Sequence, residues 1–331
     1  MRYPEGSPQA SLRSTADKYG AVMLFNIFNY IFLAFLLHFA FVALLALFTG
    51  SGTIDTSTDI GYAESMFLNS LVSYLPLFIV FGLLFKRDLS ETNSMYPYPK
   101  ETGELVILFF AGGCLGRIGA LFTAYVSDFM NDLFNVPVPE AAFSDSISQD
   151  TVQFITFEIF SVVVAPICEE LIYRHLLLRP LRRYGDMQAA VISSLIFGLG
   201  HFNFDQFLYT FLFGFSLAVA AIRRDSIIPS VIIHMVNNAL AGFSSYLPET
   251  FGNAVVDSIF DSLAMLSNLS GLVILYGGAI AVILALKKHL FVFREPWFMT
   301  DKEQFGVIFT SPLVIAGIAC SLILTFFLLY I

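Results

Sequence analysis

Charged residues are scarce in this chain of 331 residues, where they make up 13% of the sequence against 57% apolar residues. An ordinary soluble domain has about 25% charged residues, so that class is excluded. The chain also lacks a basic cluster of the kind that binds nucleic acid. Its three cysteines, Cys114, Cys168 and Cys320, stand at unrelated spacings, which excludes a disulfide framework and a cysteine-based zinc pattern.

The sequence contains several long apolar segments. About 18 or more consecutive apolar residues are typical of a membrane-spanning helix. We therefore predict an all-α, polytopic membrane helix bundle with about eight or nine transmembrane helices, because the fifth segment is short. The nine segments are residues 22–48, 66–85, 105–126, 152–178, 187–201, 206–222, 227–247, 269–286 and 312–331.

Lysine and arginine are absent from alternate loops. Segments 50–65, 127–150, 202–205 and 246–266 contain neither residue. With nine spans and a cytoplasmic N-terminus, every loop that does carry them lies in the cytoplasm, as the positive-inside rule requires. We therefore predict a multi-pass protein of the cell membrane with its N-terminus inside. The first span has no small-residue cleavage site after it, which predicts a retained helix and not a signal peptide.

No long linker or internal repeat divides the chain, so we predict one membrane domain with three regions. Residues 1–149 hold three spans, residues 150–245 form a core that carries the polar motifs, and residues 246–331 hold amphipathic segments and two spans. Within the last region, the spacing of apolar residues in segment 250–266 predicts a separate amphipathic helix that lies flat on the membrane.

Ionisable residues interrupt the fourth span. Glu169 and Glu170 are adjacent, and Arg174 follows four residues after Glu170. Because burying each such group in a membrane costs at least about 3 kcal/mol, their presence indicates a function. Glu170 and Arg174 are expected to pair along the helix, whereas Glu169 is turned by about 100° and lacks that partner. The two carboxylates then differ in environment, as acid–base chemistry needs; a purely structural packing network is the alternative.

A second motif, Phe197 with His201, can be placed against the first. The sequence around Gly185 is a turn signal, and Glu169 lies sixteen residues before Gly185 while His201 lies sixteen after it. In an antiparallel hairpin both residues are about 24 Å from the turn. We therefore predict that they meet at the same depth, although a lone His at a helix end is more often interfacial.

The third motif is His234 with Asn238, one helical turn apart on the same face of the seventh span. We predict that Glu169, His201, His234 and Asn238 converge in one polar cavity in the cytoplasmic half of the membrane. A carboxylate and a histidine can activate water as a general base, while the other histidine and the amide stabilise an oxyanion. The same set can instead hold a divalent metal such as zinc through Glu169, His201 and His234.

These three motifs resemble those of the CAAX prenyl proteases and bacteriocin-processing enzymes, also called the CPBP or Abi family. The family pattern is E-E-x-x-x-R, F-x-x-x-H and H-x-x-x-N on successive membrane helices, and it stands intact over roughly residues 150–245. The resemblance implies an intramembrane endopeptidase in which Glu169 and His201 activate water. It also implies that His234 and Asn238 bind the oxyanion or complete a metal site.

The resemblance implies hydrolysis of a peptide bond in a small hydrophobic or lipidated peptide or protein, prenylated at a CAAX-type end or not. The implied partners are that substrate and the lipid bilayer, with no nucleic acid. Two other classes stay open: a non-proteolytic scaffold or bacteriocin-immunity protein of the same fold, and a transporter that relays protons. Glu170 and Arg174 are expected to support the site.

One further ion pair is expected outside these motifs. Arg117 in the third span and Glu158 in the fourth lie at depths that agree within a few Å, counted at about 1.5 Å per residue. Neighbouring spans and the cost of an unpaired charge predict a direct or water-bridged ion pair between them. Glu158 also lies eleven residues before Glu169, about three turns away on the same helical face. The competing possibility is therefore that Glu158 joins the cavity.

Overall fold

The structure is a computed structural model that describes residues 3–49, 54–90, 101, 103–134, 151–245, 254–293 and 298–327. Every regular element in these residues is helical. The first half of the chain contains α1 (Pro8–Phe28), which continues through a π-helical segment (Asn29–Leu33) into α2 (Ala34–Thr49), and then α3 (Asp59–Ser90) and α4 (Glu104–Phe134).

The segment with the glutamate pair is an irregular helix over residues 151–181. It consists of α5 (Thr151–Glu158), a π-helical segment (Ile159–Val164), α6 (Ala165–Glu170), a second π-helical segment (Leu171–Leu178) and α7 (Arg179–Leu181). The remaining helices are α8 (Asp186–Leu199), α9 (Phe204–Arg224), α10 (Ile228–Ser245), α11 (Ala254–Lys287), α12 (Asp301–Phe309) and α13 (Pro312–Phe327).

The all-helical fold is as predicted, but the number of spans is not confirmed. Within the described residues, five helices are long and apolar enough to cross a membrane. A sixth span results if α12 and α13, which meet at a bend of 71°, are counted as one. Asp186–Leu199 and Ile228–Gly242 are apolar but shorter than 18 residues. Several apolar helices nevertheless make this a multi-pass membrane protein.

The predicted amphipathic helix over residues 250–266 is not a separate helix where it is described. α11 runs without interruption from Ala254 to Lys287, so the described part of that segment is the first half of one long helix. No proline stands in α11, and its glycines do not break it, since glycine is well tolerated in membrane helices. The candidate span within α11 is Leu269–Lys287, and the interfacial position of the preceding segment stays a prediction.

Packing centres on α4, which lies against both α9 and α11. Three glycines on α4 allow α9 to approach closely: a Cβ at Gly112, Gly116 or Gly119 would meet atoms of α9 at 2.6, 3.0 and 2.9 Å. Small residues at such contacts are the usual means by which membrane helices pack. At one end of this contact, Arg223 of α9 and Glu104 of α4 form a buried ion pair at 3.0 Å. α9 is thereby fixed as one wall of the region described next.

Candidate active site

The hairpin between the first two motifs forms at the predicted turn. Gly185 has a φ of 150°, a value that favours glycine, and α8 begins at the next residue. Arg182 Nε lies 2.8 Å from Asp186 Oδ1 and so links the two sides of the turn. Glu169 and His201 then reach the wall of the same cavity.

The third motif enters on α10. Ser226 Oγ accepts a hydrogen bond of 3.2 Å from the N–H of Ile228, the first residue of the helix. Pro229 lies in the first turn, where its missing N–H leaves no helical hydrogen bond broken. His234 follows about two turns later and Asn238 one turn further, and both line the cavity.

The cavity has a volume of about 350 Å³ and is enclosed by the helix 151–181 and by α8, α9 and α10. The structure brings all four predicted residues, Glu169, His201, His234 and Asn238, to its wall. The rest of the wall is mainly apolar or aromatic, with Phe157, Ser161, Ala165, Phe197, Gln206, Tyr209, Thr210, Phe213, Asn237, Ala241 and Gly242.

Glu170 is fully buried and anchors two of the motif residues. Its Oε2 lies 3.3 Å from Arg174 Nε, which is the i,i+4 ion pair predicted from the sequence. Its Oε1 lies 3.1 Å from Nδ1 of His234. Because a carboxylate can only accept, Nδ1 carries the hydrogen in this contact, and Nε2 is the nitrogen left to face Glu169. Glu170 therefore sets the orientation of the His234 ring.

Glu169 is not as free as the sequence suggested. Its Oε1 accepts a hydrogen bond of 2.9 Å from the hydroxyl of Tyr74 on α3, and its Oε2 lies 3.7 Å from Nε2 of His234. Tyr74 was missed because it lies 95 residues away in the chain. The sequence did contain a signal, because Tyr74 is the last of four polar residues that lie close together in an apolar span and start at Asn69. The side chain of Glu169 still exposes 15% of its surface, in contrast to Glu170 at 0%.

His201 is held by the phenylalanine of its own motif. Its Nδ1 lies 2.8 Å from the carbonyl oxygen of Phe197. Since a carbonyl can only accept, this contact places the hydrogen on Nδ1 and leaves Nε2 of a neutral ring as a proton acceptor. The Phe197 ring also packs edge-on against His201 at 4.9 Å and His234 at 5.8 Å, and carries the guanidinium of Arg174 at 4.7 Å. One aromatic ring thus spaces the two histidines.

Asn238 is held by a backbone carbonyl of the helix 151–181 that has no hydrogen-bond donor within its own helix. Its Nδ2 donates to the Ser161 carbonyl oxygen at 2.9 Å. In a regular α-helix the N–H of Ala165 would donate to the Ser161 carbonyl, but in this π-helical segment it donates to the carbonyl oxygen of Phe160. The next residue, Pro166, has no N–H to donate. The Ser161 carbonyl is therefore left for the amide of Asn238. The neighbouring Asn237 accepts a hydrogen bond of 2.8 Å from Tyr209 of α9.

The predicted ion pair between Arg117 and Glu158 is wrong. Arg117 Nη1 lies 3.5 Å from the carbonyl oxygen of Gly113. Neither carboxylate oxygen of Glu158 has a hydrogen-bond partner in the described parts of the chain, although the residue is buried. The carboxylate instead fills the space that a Cβ on Gly242 would occupy. Depth counting fixes the height of a residue on its helix but not the direction in which it points.

The π-helical segment Ile159–Val164 explains that direction. A π-helical turn holds one residue more than an α-helical turn, so the residues before it are rotated by about 100° relative to a regular helix. The eleven residues from Glu158 to Glu169 therefore turn about the helix axis by as much as ten residues of a regular α-helix, so Glu158 does not lie on the face of Glu169. Twelve residues from Phe157 wind like eleven, about three full turns, and Phe157 is the residue that lines the cavity.

A divalent metal held by Glu169, His201 and His234 was the alternative from the sequence. A zinc site needs at least three protein ligands converging on one point. Within the described residues, no group of three or more His, Cys, Asp or Glu side chains is arranged to hold a metal ion. These residues therefore show no preformed metal site, and the reaction proposed below is written with protein groups and water.

The fold and the cavity together define a multi-pass, all-helical membrane protein with a polar site enclosed among its helices. Residues 151–240 match a family model described as Rce1-like, Type II CAAX prenyl endopeptidase Rce1-like. The resemblance predicted from the three motifs is thereby confirmed over the segment that carries them. No curated protein and no solved structure matches the chain. The matched segment is therefore similar to a family of CAAX-type membrane proteases.

Proposed function

We propose that this protein is an intramembrane endopeptidase that cleaves a small hydrophobic or lipidated peptide by means of an activated water. The observation that carries the proposal is the convergence of Glu169, His201, His234 and Asn238 on one cavity within a segment that matches a peptidase family. A mostly apolar cavity with a few convergent polar groups is the usual form of a binding site for such a ligand.

In this mechanism, one water lies between the carboxylate of Glu169 and Nε2 of His201. As the water oxygen attacks the scissile carbonyl, its proton passes to Glu169, which returns it to the departing amine. The amide of Asn238 has a second N–H besides the one bound to Ser161, and this N–H is a donor for the oxyanion. Nε2 of His234 lies 3.7 Å from Glu169 Oε2 and so stands beside the reacting carboxylate.

Glu170 and Arg174 act as supports in this scheme. Their ion pair is buried, and Glu170 holds Nδ1 of His234 so that Nε2 faces the reacting groups. A ring that is held in one orientation loses no further freedom when the substrate binds. The aromatic part of the wall, Phe157, Tyr209 and Phe213, suits an apolar side chain or a prenyl chain of the CAAX type.

The test is cleavage of a fluorescence-quenched peptide that ends in a farnesylated cysteine followed by three residues, alongside its unprenylated twin. Glu169→Gln is expected to abolish cleavage while the protein stays folded, because the base is removed and the shape is kept. Glu101→Gln, whose carboxylate contacts Lys288 at the surface, is the control that should retain activity. Normal cleavage by a well-folded Glu169→Gln protein would contradict the assignment, and no cleavage by the unmodified protein would favour the scaffold class.

A further inference from the structure

A second cavity of about 160 Å³ lies beside the first, between α3 and the helix 151–181. The two cavities share three lining residues, Phe157, Ser161 and Ala165, which follow one another at four-residue intervals. The hydroxyl of Tyr74, which lines the second cavity, bonds the carboxylate of Glu169, which lines the first. The proposed reacting carboxylate therefore stands at the junction of the two spaces.

Most residues on the α3 side of the second cavity are polar. Asn69, Ser70, Ser73 and Tyr74 line the space together with Met66, and they lie within the candidate span Asp59–Lys86. Asn69 is exposed. Amide and hydroxyl groups within a span are costly to leave facing hydrocarbon without a partner. A polar ligand in the cavity would supply such partners.

The opposite wall offers a further unused group. Ser161 Oγ is buried and has no hydrogen-bond partner among the described residues. Such an orphan hydroxyl is uncommon in folded proteins because burial removes it from water. Its position on the wall that both cavities share places it where a chain passing from one cavity to the other would lie.

We propose that the second cavity is a subsite for the polypeptide backbone of the substrate on one side of the scissile bond. Hydroxyl and amide side chains both donate and accept, so they match the alternating N–H and C=O groups of an extended peptide. A prenyl or acyl chain has no such groups and belongs in the aromatic first cavity. This inference rests on the proposed function, because it assigns the reacting bond to the junction beside Glu169.

Photocrosslinking tests the location directly and needs no cleavage. A benzoylphenylalanine is introduced at Asn69 in the Glu169→Gln protein, with the biotinylated farnesyl peptide as the probe. Capture of the peptide at position 69 is expected, together with loss of capture when unlabelled peptide competes. The matched control is the same residue at Ile79, which is exposed on the same helix but lines neither cavity. Equal capture at both positions, or none at position 69, overturns the proposal.

Kinetics with N-methylated peptides test the chemistry. The peptide is methylated at one or two backbone amides next to the scissile bond, on the side that lies in the second cavity, which removes hydrogen-bond donors. With the unmodified protein, this change should raise KM roughly three- to tenfold. Asn69→Leu should raise KM for the parent peptide and make the methylation effect vanish, with kcat unchanged. If the effects of Asn69→Leu and of peptide methylation on KM are strictly additive, the proposed subsite is wrong. If the unmodified protein cleaves no peptide, the proposed function fails while the crosslinking result still decides the location.

Discussion

At the scale of single residues, Glu169 and Glu170 are neighbours in sequence with opposite surroundings. Glu170 is fully buried between Arg174 and His234, whereas Glu169 lines the cavity with Tyr74 as its donor. In the proposed mechanism, chemistry and support are assigned to these adjacent positions, so substitutions at the two positions should have different effects.

Glu170→Gln is expected to lower stability before it affects chemistry. The change leaves the buried guanidinium of Arg174 without its charged partner, and breaking a buried pair in this way costs about 3–5 kcal/mol. The measurement is thermal unfolding in detergent, with Glu101→Gln as the control because its pair with Lys288 is exposed. Equal melting temperatures for the two variants would show that the buried ion pair contributes no more to stability than the exposed one.

Tyr74→Phe is expected to slow cleavage. It keeps the ring and removes the hydrogen bond to Glu169 Oε1. A hydrogen bond to a charged group contributes about 1.5–3 kcal/mol, so kcat should fall roughly 10- to 100-fold. Because Tyr74 also lines the proposed subsite, a smaller rise in KM is expected as well. Tyr62→Phe, on the same helix but outside both cavities, serves as the control. A matching fall in both variants would assign the loss to the helix and not to the carboxylate.

Much of the site could be predicted from local spacing, and the rest depends on contacts between distant segments. The Glu170–Arg174 pair follows from an i,i+4 relation within one helix, and the placement of Glu169 and His201 on one cavity follows from a symmetric hairpin. The bond from Tyr74 joins positions 95 residues apart, and the bond from Asn238 to Ser161 depends on a helical irregularity. Neither has a periodic signature in the sequence.

At the scale of helices, prolines free backbone carbonyls that side chains of other helices then contact. Pro166 leaves the Ser161 carbonyl without a helical donor, and Asn238 supplies one. Pro76 in α3 likewise leaves the Val72 carbonyl free, and Nδ2 of Asn29 lies 3.4 Å from it. Within a membrane such carbonyls must find donors inside the protein. The proline positions are visible in the sequence, but the partner that each freed carbonyl takes is not.

The contact between α5 and α10 can be tested at Gly242. A methyl group there would overlap the carboxylate of Glu158, so Gly242→Ala should destabilise the protein by about 1–3 kcal/mol. Adding Glu158→Ala makes room for the methyl group and should recover part of the loss. Gly271→Ala is the matched control, since no atom lies within 4 Å of a Cβ built there. If both glycine variants melt alike, the helices do not meet as described.

At the scale of the whole molecule, the two ends of the described chain pack together. α1 lies against α13, and a Cβ on Gly20 would overlap the backbone of Leu313. Near this contact Arg13 Nη2 donates to the carbonyl oxygen of Thr310 at 2.7 Å, and Ser311 Oγ lies 2.5 Å from Asp17 Oδ1. Other helices outside the family match, α4 and α11, pack against α9 and α10 of the matched segment.

The orientation of the bundle in the membrane stays a prediction from the basic loops, and labelling can test it. In a background without the three native cysteines, a cysteine placed at Ser57 should react with a membrane-impermeant maleimide added to intact cells. A cysteine at Lys302 should react only after the membrane is permeabilised, because the positive-inside rule places that loop in the cytoplasm. Labelling of both positions from the same side would contradict the topology.

The π-helical segment Ile159–Val164 makes the chain unequally tolerant of gained and lost residues. In a regular helix, removing one residue and adding one are equally disruptive, because each rotates the rest of the helix by about 100°. Here the segment already holds a surplus residue. Its removal would leave Phe157 and Glu169 on one face but would place Pro166 in a regular α-helix, where its ring clashes with the carbonyl four residues before it. A further insertion would turn Phe157 by about 100° away from the cavity, because the residues before the segment are the ones that rotate. Loss of one residue therefore keeps Phe157 and Glu169 on one face of the helix, whereas gain of one residue does not.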